Sequence, residues 1–237
     1  MSSATAAARG APEGPIRFLK QAVAPLNARR LLLPILLLGV LLTASNIVIL
    51  LNAPVKGHMP GAVFIVAALV RVLGLMVMVV GLSRLIAGSP RRPWMPDGAF
   101  WLSALSLPLG LAIAFGARRL MGGSEGDPLS LVGPELLAAA VQAPFAAWLT
   151  AIAVEKPLAW RPSPWFAGLL RWLPAYLLWT AAVTPLVILH AMLDFHLIKQ
   201  PEAGFWPIAL VDGPLSLVVA LAILCLNLAA YRSVAHG

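Results

Sequence analysis

One arginine stands in the middle of an apolar stretch. Arg71 lies between Ala67-Ala68-Leu69-Val70 and Val72-Leu73-Gly74-Leu75. A charged side chain at the centre of a membrane helix costs about 2.5–3.5 kcal/mol on insertion scales, so such residues are usually functional or paired. Some eleven residues from Pro60, at about 1.5 Å of rise each, Arg71 lies roughly 16 Å deep and is hard to snorkel to either surface. It needs a carboxylate or helix-end carbonyls, and Glu135 and Asp212 are the acids near the same boundary. An Arg71–acid pair reads as a structural staple. The same three residues would also line the polar cavity of a small transporter.

A second constellation is His190, Asp194 and His196. A spacing of four puts His190 and Asp194 on one helical face, with His196 expected just past the helix end. Joined by Glu135 or Asp212, they form a His/carboxylate set of the kind that ligates a metal. That set would suit a metal-dependent intramembrane hydrolase. No His-Glu-x-x-His spacing is present, and an Asp that orients His190 explains the same residues. Asn46, Gln142 and Asn227 are mid-span amides suited to hydrogen bonds between helices. Ser103, Ser106 and Ser216 are available, but nothing in the sequence pairs one with His190. There is no Gly-x-Ser-x-Gly elbow, Walker loop or Gly-x-Gly-x-x-Gly fingerprint, and no cofactor is expected.

The elements that position these residues follow from composition. The 237 residues are 60% hydrophobic and 11% charged, against about 45–50% and 25% in soluble domains. This composition calls for an all-α, polytopic transmembrane bundle. Six segments reach the roughly 20 residues that a spanning helix needs: Leu31–Ala53, Pro60–Ala87, Ala99–Phe115, Leu131–Val154, Trp165–Leu193 and Trp206–Tyr231. Long unbroken apolar blocks argue against a β-barrel, whose strands alternate. Cys225 is the only cysteine, so an internal disulfide is impossible.

The charges set the expected orientation. Arg9, Arg17, Lys20, Arg29, Arg30, Arg84, Arg91, Arg92, Lys156, Arg161, Arg171 and Arg232 fall on one side, and Lys56, Arg118, Arg119 and Lys199 on the other. Twelve against four predicts both termini in the cytoplasm. Six of the nine acids lie on the opposite side. Trp94, Trp101, Trp148, Trp160, Trp165 and Trp172 gather near the inner boundary, as an aromatic belt does. Arg161 and Arg171 among these tryptophans suit lipid phosphate or simple anchoring. The formal charge of +8 flanks apolar segments, so it points to a membrane rather than to nucleic acid.

Residues 1–15 are expected to form a disordered tail and 16–30 a basic amphipathic juxtamembrane segment. The bundle follows over 31–232, then a short tail, 233–237. The first apolar run is of spanning length, so a cleavable signal peptide is not expected. Within Ile16–Asn27, Ile16, Leu19, Val23 and Leu26 recur at helical spacing. That pattern suggests either a short helix on anionic lipid through Arg17 and Lys20 or a merely basic juxtamembrane tail. Pro60-Gly61, Gly133-Pro134 and Gly213-Pro214 open three of the expected spans alike, either as a threefold repeat or because Pro and Gly favour helix ends.

Two short stretches carry a family resemblance: Phe18-Leu19-Lys20 through Asn27-Ala28-Arg29-Arg30, and Leu226-Asn227-Leu228-Ala229-Ala230-Tyr231-Arg232. In these the chain resembles six-span bacterial membrane domains of the type found with glycerophosphodiester phosphodiesterases. The resemblance implies a bacterial inner-membrane helical domain without a phosphodiesterase domain. The role expected first is non-catalytic: binding or scaffolding in a membrane assembly, or handling a lipid-like or small solute. Its expected partners are the lipid bilayer and a membrane protein partner or a second copy of the chain, with no nucleic acid.

Overall fold

Lipid offers no partner to a backbone N–H or C=O, so each apolar block closes its hydrogen bonds on itself as a helix. The computed structural model describes residues 14–23, 29–54, 59–122, 127–155, 159–166, 168–199 and 205–235, which contain helices and no strand. In chain order these are α1 (Pro15–Val23), α2 (Leu32–Leu51), α3 (Ala62–Ala87), α4 (Gly98–Ala104) and α5 (Ser106–Met121). They are followed by α6 (Pro128–Gln142), α7 (Ala146–Val154), α8 (Ser163–Phe166), α9 (Leu169–Lys199) and α10 (Phe205–Ala235). Six helical stretches are long and apolar enough to cross a membrane: Arg29–Leu51, Ala62–Ala87, Gly98–Met121, Pro128–Val154, Leu169–Leu197 and Phe205–Ala235.

Local chemistry sets the ends. Gly88 and Gly122 take positive φ after α3 and α5, the left-handed conformation that closes a helix. Asp127 accepts from the Leu129 amide and Pro128 occupies the first turn, so α6 starts earlier than expected. Pro134 and Pro214 consequently lie inside helices rather than at their starts. The likeness of three helix openings is therefore not a likeness of caps. The fourth span is broken at Pro144 by a 3-10 turn, Ala143–Phe145. Trp165 belongs to α8, outside the fifth span.

α10 is the central post. Four buried clusters hold the bundle together, and α10 contributes to each. Leu224 and Leu228 meet α2 and α3, Tyr231 meets the cluster of α3, α4 and α7, and Ala229 and Ala230 meet α9 and α1. Phe205 and Ala209 close the opposite end with Leu50 and Leu197. The broken fourth span serves two neighbourhoods: α6 packs on α5 and α9, whereas α7 packs on α10, α4 and α3.

α1 is shorter than the expected Ile16–Asn27 helix, whose last four residues lie outside the described ones. Phe18 and Ala22 are buried against Trp172, Tyr176 and Ala229, while Ile16 and Val23 are exposed. The expected Ile16/Leu19/Val23 stripe is thus not the face that packs on the bundle. The Pro15 carbonyl accepts from Trp179 Nε1 at 2.8 Å, and the Gln21 carbonyl from Arg232 at 2.9 Å. α1 is docked on the protein as well as available to lipid.

A saturated polar clamp ties the loop between α3 and α4. Arg84 is fully buried. It donates to the carbonyls of Ala153, Arg92 and Met95 and to Asp97 Oδ1 at 2.6 Å. Arg91 bonds Asp97 Oδ2 at 2.8 Å, and Asp97 also caps α4 through the Phe100 amide. Burial by itself would raise the Asp97 carboxyl; the Phe100 amide and the Arg84 and Arg91 bonds outweigh it and hold it below its ordinary value.

That stabilisation is complete above the ordinary carboxylate value of about 3.9 and is lost as pH falls through the lowered value. Detergent-solubilised protein should therefore lose melting temperature below about pH 4. Asp97→Asn should melt lower at pH 7, toward the lower end of the ~3–5 kcal/mol of a broken buried pair, because Asp97 is part exposed. An Asp97→Asn protein as stable as the parent at pH 7 would show that the clamp does not support the fold.

Candidate functional site

Four helices bring polar side chains together inside the spanning region. Asn46 comes from α2, Arg71 from α3, His190 and Asp194 from α9, and Asp212 and Ser216 from α10. All lie toward the ends of the helices at Leu51, Ala62, Lys199 and Phe205. Counted along each helix at 1.5 Å per residue, Asn46, Arg71, His190, Asp194 and Asp212 are roughly 8–14 Å from those ends. α2 and α10 approach closely because position 213 has no side chain: a Cβ on Gly213 would collide with Oγ1, Cβ and Cγ2 of Thr43. That close approach sets Asn46 against Asp212.

Asn46 is the hub. Its Nδ2 donates to Asp212 Oδ2 at 2.6 Å and to Asp194 Oδ1 at 3.1 Å, and its Oδ1 accepts from Arg71 Nη1 at 2.6 Å. Arg71 Nη1 also reaches the Leu42 carbonyl at 3.5 Å. The amide thus links one cation to two anions without direct ion pairing, and both carboxylates act electrostatically on the guanidinium. Asp212 is 0% exposed, whereas the side chains of His190 and Asp194 are 23% and 30% exposed. The cluster is sealed on its α10 side and open on its α9 side.

His190 bridges the two carboxylates. Nδ1 lies 2.6 Å from Asp212 Oδ1 and Nε2 lies 3.8 Å from Asp194 Oδ2. With one ring nitrogen hydrogen-bonded to Asp212 and the other facing the Asp194 carboxylate beyond hydrogen-bond distance, the imidazolium fits best. Ser216 Oγ lies 3.4 Å from each ring nitrogen. Equal distances put the hydroxyl astride the ring rather than in line with one lone pair. Proton abstraction needs that in-line placement, so Asp212–His190–Ser216 lacks the geometry of a Ser-His-Asp nucleophile.

His190, Asp194 and Asp212 each offer a ligand atom, all within 4.8 Å of one another. A divalent cation there would compete with the Asn46 bonds to both carboxylates and would sit near the Arg71 guanidinium. The donors suit a metal, but the Asn46 bonds and the Arg71 charge oppose one. His196 is not in this group. α9 runs on to Lys199, and six residues along a continuous helix turn His196 about 120° away from the His190 face.

Glu135 lies elsewhere too. α6 packs on α5, and Glu135 Oε1 accepts from Arg118 Nε at 2.9 Å and Nη2 at 2.6 Å. Of the acids expected near Arg71, Asp212 is the one that joins its network, through Asn46. At the basic end, Arg17, Lys20 and Arg161 are exposed and Arg171 is half-buried. Trp172, expected in the belt, is fully buried in the core beside Tyr176. Gln142 faces Gly110 of α5, and Asn227 Oδ1 accepts from Tyr176 at 2.8 Å. Sequence reasoning placed Asn46 only among general interhelical amides and left Ser216 unpaired. For Ser216, the available signal was its i+4 spacing from Asp212 on one helical face.

Gly213→Ala is expected to push α2 from α10, lowering stability by about 1–3 kcal/mol as overpacking does. It should also weaken the Asn46–Asp212 contact. Thermal unfolding in detergent checks the first effect. If Gly213→Ala melts with the parent, the close approach is not what holds the two helices in register.

Comparison of the chain with protein-family models, with curated proteins and with solved structures finds no match.

Proposed function

We propose that this chain is a multi-pass integral membrane protein that binds a small charged solute at the Asn46–Arg71–His190–Asp194–Asp212 cluster, in the manner of a permease. The observation that carries this reading is the partial exposure of His190 and Asp194 next to a fully buried Asp212. Ionisable groups at membrane depth do not face hydrocarbon; they face other protein or a water-filled recess. In the structural clamp Arg84 is sealed and the part-exposed Asp97 lies outside the spanning segments, whereas His190 and Asp194 are part exposed inside one. A scaffold would need no charge cluster inside the bundle, so solute handling is favoured over scaffolding among the non-catalytic roles. The Ser216 placement and the opposition of Asn46 and Arg71 to a metal weigh against a hydrolase.

The asymmetry of basic residues supports both termini on the cytoplasmic side, and the resemblance to bacterial six-span domains supports a bacterial inner membrane. In this reading the open side of the cluster lies nearer the periplasm. A homo-oligomer or a membrane partner is compatible with it and is not needed to complete the site.

Reconstituted protein on a solid-supported membrane should give transient currents or solute uptake with members of a panel of small anions, cations and zwitterions. Arg71→Leu should abolish the response while eluting as a monodisperse species. If Arg71→Leu aggregates or is degraded, and the parent responds to no solute, the cluster is a staple and the permease reading fails. For orientation, a C-terminal fluorescent-protein fusion should be bright in cells and a C-terminal alkaline phosphatase fusion inactive; the reverse pattern would invert the topology.

A further inference from the structure

Arg71 and Arg84, both in the second span, are used differently. Arg84 engages Nε, Nη1 and Nη2. Arg71 engages Nη1, and among the described residues its Nε and Nη2 have no hydrogen-bond partner. Arg71 is half-buried, and these two nitrogens are not among the atoms sealed from solvent. The Nε–Nη2 edge of a guanidinium is a fork that matches a carboxylate by two parallel bonds.

An acceptor stands nearby. Asp194 uses Oδ1 for Asn46. Its Oδ2 is 3.8 Å from His190 Nε2, beyond hydrogen-bond distance, and its side chain is 30% exposed. Arg71 and Asp194 bond opposite ends of the same Asn46 amide. An unengaged cationic edge and a carboxylate oxygen without a hydrogen bond are thus carried by two side chains that bond the two ends of one amide.

Charge balance narrows the occupant. With His190 as imidazolium, two cations meet two carboxylates, and the cluster is neutral. A singly charged guest would leave a net charge in a low-dielectric site, whereas a guest carrying both signs would not. We infer that the site takes a small zwitterion whose carboxylate lies on the Nε–Nη2 edge of Arg71 and whose ammonium lies on Asp194 Oδ2. Two side chains that share one amide suit an amino-acid-like solute with its two charges a few carbons apart. This inference rests on the solute-binding reading above and adds the substrate class.

The test is binding to the full chain in nanodiscs, by calorimetry or thermal shift, with glycine, β-alanine and γ-aminobutyrate as zwitterions. Propionate and propylammonium serve as single-charge comparators, and inorganic phosphate as a second anion. The expected result is binding by at least one zwitterion and at least roughly tenfold weaker binding, or about 1.4 kcal/mol, by every comparator. Arg71→Lys keeps the charge but loses the fork, and should weaken the zwitterion about tenfold or more without unfolding the protein. Asp194→Asn should weaken the zwitterion and strengthen propionate, because the cluster then carries one extra positive charge. Propionate or phosphate binding as tightly as the zwitterions would overturn the substrate class and leave the solute-binding reading standing. Binding by none of the probes, with no response to the wider solute panel, would overturn both.

Discussion

Asp212 sits two turns into α10, the helix that packs on α9, α2, α7, α1 and α3, and no solvent reaches it. A carboxylate buried at that depth has to be neutralised and hydrogen-bonded, since leaving it bare costs several kcal/mol. Its two oxygens are met by Asn46 from α2 and His190 from α9. Those bonds set the mutual rotation of the three helices that carry them. Through Asn46 they also draw in Arg71 of α3. Gly213, next to Asp212, supplies the close approach of α2 and α10 that this arrangement requires.

The two ends of the bundle show two uses of buried charge. Around Arg84 every guanidinium nitrogen has an acceptor, and Asp97 is shared with Arg91 and a helix cap. Such saturation holds a loop and leaves nothing for a ligand. Around Arg71 the bonding is incomplete: one nitrogen is engaged, and the part-exposed carboxylate of Asp194 has a hydrogen bond at Oδ1 alone. Incomplete satisfaction is costly where water is scarce, so it marks the place where an occupant would be stabilised most.

Parts of this were legible in the sequence because they depend on local periodicity or composition. Six spans follow from apolar length, and the importance of Arg71 follows from the cost of a charge among Leu and Val. The His190–Asp194 pairing follows from their i,i+4 spacing. The error over His196 came from the helix end: α9 continues past it to Lys199, and continuation turns its side chain to another face. Glu135 looked like a partner for Arg71 because both lie near one boundary, yet depth says nothing about azimuth. Its helix packs on α5, where Arg118 meets it. Trp172 read as an interfacial residue, but docking of α1 places it in the core beside Phe18.

By itself the sequence determined that this chain is a six-span helical bundle and that a few charges inside the spans need partners, because the solvation of backbone and charge in lipid acts on each segment separately. Only the tertiary structure decided which partners they find. That depends on the rotation and neighbours of each helix, which are set by contacts between residues far apart in the chain. Asn46 and Asp212 are separated by 166 positions, and no periodicity within α2 or α10 announces that they meet.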